Sequence, residues 1–64
     1  MYQPLTPDQI RRIRGEDTQP EFALTLGHPA LVTTISRWEN GHVKPSRVYD
    51  RILRQAAQSR GITL

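Results

Sequence analysis

Two motifs set twelve residues apart constrain this chain more than anything else in it: Thr6-Pro7-Asp8-Gln9 and Thr18-Gln19-Pro20-Glu21. Each opens on a threonine and carries Gln or Glu three residues later, which is the capping-box pattern. In such a box the threonine hydroxyl accepts from the third amide of the helix, and the third side chain accepts from the threonine's own N–H. Each box also holds a proline in its first turn, where a missing N–H costs nothing, and an acid where the helix dipole favours negative charge. Leu5 before the first box and Ile10 within its helix make the matching hydrophobic staple. Gly15 and Gly27 stand where a left-handed residue ends a helix. Two short helices are thereby bracketed, one from Pro7 to the residue before Gly15 and one over about 19–26.

The rest of the chain is punctuated in the same way. Pro29 opens a third helix that runs to Asn40-Gly41, with Leu31, Ile35 and Trp38 at the spacing of a buried stripe. Ala30, Thr33, Thr34 and Arg37 share a different face. The β-branched residues Thr33, Thr34 and Ile35 lower helix propensity, but the signals on either side outweigh that. Pro45 or Ser46 starts a fourth helix, which Gly61 ends. Val48, Tyr49, Ile52, Leu53 and Ala56 form its inner face, and Arg47, Arg51 and Arg54 an outer stripe. From the first two helices Ile10, Ile13, Phe22, Ala23 and Leu26 face inward, leaving Arg11, Arg12 and Arg14 in water. The second helix spans barely two turns, so packing must hold it. Ile62-Thr63-Leu64 is a tail that either extends an interface or frays. No segment alternates like a strand, and neither repeat nor linker divides the chain. The expected fold is all-α: a compact bundle of four to five short helices, one domain over residues 1–64.

A chain of 64 residues buries only about 60% of its unfolded surface, so nearly every large apolar residue is needed in one small core. It contains no cysteine, hence neither a disulfide nor a thiolate for zinc, and its apolar runs are far too short to span a membrane. The opening residues lack the basic and apolar regions of a secretory leader, so a cytoplasmic protein without membrane contact is expected. The net charge of +3 is unevenly spread. Residues 1–32 set three arginines against Asp8, Glu16, Asp17 and Glu21, whereas residues 33–64 set six basic residues against Glu39 and Asp50. Eight of the nine basic residues are Arg, whose forked donors suit phosphates and guanine edges. The basic half points to a polyanion, or is an ordinary solvated surface.

The third helix carries the chemistry. Ala30, Thr33 and Thr34 are slim enough to let a helix approach base edges, with methyl groups for thymine and hydroxyls for hydrogen bonds, and Arg37 is long enough for guanine O6 and N7. Ahead of it, a capped helix with Gln19 in its first turn can offer amides and a side-chain donor to phosphate. Two short helices joined by a glycine turn form a helix-turn-helix, although two packed helices of a plain bundle have the same spacing. Arg47, Arg51 and Arg54 can grip phosphates, make a dimer contact or form a solvated face. His28 and His42 have no companions at ligand spacing and read as turn and surface histidines; no metal and no cofactor is expected. There is no phosphate-cradling glycine loop and no nucleophile with a recognisable elbow, so an enzyme is not expected.

Thr18-Gln19-Pro20-Glu21-Phe22-Ala23, Leu26-Gly27, Ile35-Ser36-Arg37-Trp38-Glu39-Asn40-Gly41 and Lys44-Pro45-Ser46 together resemble the Xre/Cro-type, lambda repressor-like helix-turn-helix domain. Leu5-Thr6-Pro7-Asp8-Gln9-Ile10 is similar to the first helix of that family, so the resemblance covers roughly residues 5–57. It implies a DNA-binding transcription regulator, most often a repressor working as a homodimer on a palindromic operator. It also implies that Thr33, Thr34 and Arg37 read bases, while Gln19, Ser36, His42 and Lys44 contact the DNA backbone, with Ala30 as an additional contact. Glu39 then supports the fold or orients an arginine, and Trp38 packs. Two departures stand out: two extra residues between Gly27 and Trp38, with His28-Pro29 in the turn, and Pro20 where the family often has an acid. Since family members include antitoxins and prophage regulators, the alternative expectation is a protein-interaction module. Its partner would be a toxin or a phage protein, and DNA binding would be secondary.

Overall fold

Both capping boxes close. In the computed structural model, which describes residues 3–64, the Gln9 N–H donates to Thr6 Oγ1 (3.2 Å) and the Thr6 N–H to Gln9 Oε1 (2.9 Å). The Glu21 N–H donates to Thr18 Oγ1 (3.3 Å) and the Thr18 N–H to Glu21 Oε1 (2.9 Å). These bonds, led by the one from the Thr18 backbone, hold the Glu21 carboxyl below its ordinary value. The boxes start α1 (Pro7–Arg14) and α2 (Gln19–Thr25). Ser46 caps α4 (Arg47–Ser59) by accepting from the Tyr49 N–H.

The third helix departs from expectation at its start. It does not run unbroken from Pro29: residues Pro29–Leu31 form a 3-10 turn, closed by Leu31 N–H donating to the His28 carbonyl, and α3 follows over Val32–Glu39. The proline, which cannot donate, and the lack of a capping side chain at His28 leave this end to tighten into the narrower turn.

Three helices end alike. Gly27, Gly41 and Gly61 take positive φ, and each precedes a residue whose N–H reaches back five positions: His28 to Ala23, His42 to Arg37, Ile62 to Ala57. With the glycine N–H bonded three positions back, this is the Schellman arrangement, which satisfies the last carbonyls and turns the chain sharply. The same geometry seats Ile62 against the core, so the tail begins packed rather than frayed.

One core joins the helices, built from Leu5, Ile10, Ile13, Phe22, Ala23, Leu26, Leu31, Ile35, Trp38, Leu53 and Ala57. Both α1 and α2 pack on α3, and α1 also packs on α4. All described elements are helical, and none of their helices is long and apolar enough to cross a membrane. The inner face of α4 is rotated from the expected one. Asp50, Leu53 and Ala57 are its buried stripe, with Tyr49, Ile52 and Ala56 flanking it, and Val48 is 67% exposed.

Candidate nucleic-acid interface

The segment 29–39 has two sharply different sides. Leu31, Ile35 and Trp38 are buried, and Glu39 continues that stripe one turn beyond Ile35, only 4% exposed. Opposite them Ala30, Thr33 and Arg37 are exposed, while Thr34 and Ser36 are half-buried at the margins. The Ser36 hydroxyl accepts from the Asn40 amide at 3.3 Å. His42 and Lys44 are exposed on the connector after Gly41, where the Schellman turn fixes the His42 backbone against α3. The expected reading residues therefore share one side of α3, and the connector follows directly from its end.

A polar network seats α3. Arg14 grips both oxygens of the Glu39 carboxylate, Nε to Oε2 at 2.7 Å and Nη2 to Oε1 at 2.9 Å, and also donates to the Asp17 carbonyl at 2.8 Å. Arg11 donates to the Glu39 carbonyl. The hydrogen bond to Glu39 raises the Arg14 pKa above its ordinary value, so the guanidinium stays charged. Arg14 is thus not a wet residue of α1 but the long-range partner of a carboxylate in the core. A buried carboxylate is costly unless paired and bonded, and this one is both. Among the described residues no buried side-chain polar atom lacks a partner.

Gln19 differs from its expected posture. Its Nε2 points at Glu39 Oε1 from 3.5 Å, a long contact at the edge of the same network. Trp38 is buried and meets the Tyr49 ring, centroids 5.7 Å apart, and His28 lies edge-on to that same ring at 5.8 Å. These ring contacts tie the α2–α3 connection and α3 itself to the start of α4.

The basic residues divide into two sets. Arg11, Arg14, Arg54 and Arg60 are engaged with Asp8, Glu39, Asp50 and Asp17. Arg60 also donates to the carbonyls of Ile13 and Arg14 and covers the Phe22 ring at 5.5 Å, closing the end of α1. Arg37 and Lys44 make no ion pair or side-chain hydrogen bond among the described residues, which leaves both charges to solvent beside Thr33 and His42. Reasoning from sequence expected Glu39 to support the fold or orient an arginine without finding Arg14 as its partner, and it missed the Arg60–Asp17 pair. The signal for the first was present: an acid on the stripe of Leu31, Ile35 and Trp38 demands a cation from elsewhere. The second joins a tail residue to a loop and leaves no periodic trace. Comparison with known proteins finds no matching family model, no matching curated protein and no matching solved structure.

Proposed function

We propose that this chain is a sequence-specific DNA-binding transcription regulator, a small repressor that occupies a palindromic operator as a homodimer. The observation that carries the reading is the two-sidedness of the 29–39 segment: a buried Leu31/Ile35/Trp38/Glu39 stripe behind a slim exposed side of Ala30, Thr33 and Arg37. With α2 and its glycine turn ahead of it, α3 acts as the second helix of a helix-turn-helix and enters the major groove. Arg37 pairs with guanine O6 and N7, and the threonines offer methyls to thymine and hydroxyls to base edges. Ser36, His42 and Lys44 hold phosphates and set the register. Gln19 joins them by giving up its 3.5 Å contact with Glu39. In the dimer, two copies of α3 lie about 34 Å apart on successive major grooves.

Selection of bound duplexes from a random pool tests this directly. The expected product is an inverted repeat with half-sites about 10–11 base pairs apart, or a multiple of that. Binding that falls steeply with salt yet enriches no motif would overturn base reading and leave a basic protein that holds only backbone.

A second reading, a protein-interaction module of the antitoxin or phage type, is favoured by one feature. Leu24 and Val48 are large apolar side chains left 64% and 67% exposed. One stoichiometric protein retained in a pull-down, with DNA affinity staying at the non-specific level, would select this reading instead.

A further inference from the structure

The outer side of α4 is a surface that base reading by α3 does not use. Arg47, Arg51 and Arg54 recur at i, i+4 and i+7, and with Gln55, Gln58 and Asp50 they line one shallow depression. Asp50 is the only acid in α4, and it is 4% exposed beneath Arg54. The outward side therefore bears arginines and glutamines without an exposed carboxylate. An ordinary solvated helix face interleaves charges of both signs. Arg51 has no ion pair or side-chain hydrogen bond among the described residues. Arg54 is held in place by Asp50 Oδ1 and the Gln3 carbonyl, which leaves donors of its five-donor fork unspent.

Three kinds of occupant differ in what they need. A second copy of the chain would set two arginine ridges against each other, which like charge opposes. A protein partner wants a desolvated aromatic or aliphatic anchor at its centre, and Val48, the large exposed apolar side chain of α4, does not line the depression. A nucleic-acid strand needs only cations at the right density. Arg47 to Arg54 covers about 10 Å of helix. One strand of a duplex presents a phosphate for every ~3.4 Å of axis, so a span of that length passes about three phosphates. α4 packs on α1 and meets α3 at the Tyr49–Trp38 contact, so the ridge and the Thr33/Arg37 side belong to different helices of one core.

We infer that the outer ridge of α4 is a second nucleic-acid surface, on which Arg47, Arg51 and Arg54 hold the phosphodiester backbone without reading sequence. This surface goes beyond base reading by α3 and does not depend on it.

The test titrates the full chain against a short and a long labelled duplex of mixed sequence across a salt series. Arg51→Ala, which removes no ion pair or side-chain hydrogen bond among the described residues, lowers the slope of log affinity against log salt by about 0.9, and R47A/R51A lowers it further. Arg12→Ala, an equal loss of charge on exposed α1, leaves the slope unchanged. A loss seen only on the long duplex places the ridge on flanking backbone. Loss of protein-dependent capture of a second duplex places it on another molecule; either result supports the surface. An unchanged slope in both α4 variants, an equal drop in R12A, or no duplex binding by the wild type overturns it. A wild type with no base preference whose slope still falls in R51A would sink base reading and leave the ridge standing. An enriched motif with an unaltered R51A slope would do the reverse. R51A alone keeps the test decisive where R47A disturbs the fold.

Discussion

Helices α3 and α4 each bury one carboxylate, and the two are held in opposite ways. Glu39 is the last residue of α3, at the end where the helix dipole disfavours negative charge. Its compensation comes from elsewhere: Arg14 of α1, 25 residues away, takes both oxygens. Asp50 lies in the first turn of α4, where the dipole favours it, and its arginine is one turn along the same helix. Among the described residues, only the Leu5 N–H, donating at 2.9 Å, reaches Asp50 from a distant segment. The seating of α3 is therefore a long-range property, and that of α4 is largely local. The outward sides follow suit. α3 shows short side chains and one cation, whereas α4 shows a row of arginines.

The largest test of this contrast is Arg14→Met. It leaves the Glu39 carboxylate buried with no cation, at a cost of about 3–5 kcal/mol. For a domain this small that is much of its total stability, so urea denaturation should find it largely unfolded. An Asp50→Ala loss as large as that of R14M would break the comparison. The expected cost of Asp50→Ala is about 1–3 kcal/mol, because one backbone N–H and an exposed arginine lose their acceptor and the arginine regains water. Hydrogen exchange should then quicken at the Leu5 amide and not in α3.

Arg37→Ala sharpens the outward half of the contrast. It should cost about 1–3 kcal/mol on a selected duplex and relax one base position, with denaturation unchanged within about 0.5 kcal/mol. Unaltered affinity together with an unaltered motif would remove Arg37 from the reading side. At the α2 cap, Thr18→Ala should cost about 1 kcal/mol in thermal denaturation.

The smallest effect is the pH dependence of the same cap. Thr18 holds the folded Glu21 carboxyl below its ordinary 4.5, first through its backbone N–H. Stability from this bond is therefore complete above about 4.5 and is lost as the pH falls through the lower folded value. The exposed position of Glu21 keeps the effect small. Glu21→Gln should flatten that part of the Tm profile, and identical profiles for the two proteins would remove the charge from the cap.

Much of this was legible beforehand. The two boxes, the helix ends at Gly27, Gly41 and Gly61, and the Leu31/Ile35/Trp38 stripe all stand as the sequence suggests. The misplacements share a cause. Val48 reads as inner because it is apolar, yet α4 leaves it exposed and turns the charged Asp50 inward, where Leu5 and Arg54 satisfy it. Arg14 reads as wet because it is charged, and its partner lies on a helix that periodicity cannot bring near. The 3-10 turn at Pro29–Leu31 escaped because a proline marks a start without saying how tightly the chain winds.

What the sequence determined by itself is where α1, α2 and α4 begin and where α2, α3 and α4 stop. Caps and Schellman turns join groups three to five residues apart, and those bonds form wherever the local chain adopts them. What only the tertiary structure decided is which charges leave water. Burying Glu39 and Asp50 requires α1 and the segment before it to arrive with a guanidinium and an amide. A carboxylate stays in a core only when such donors replace its water.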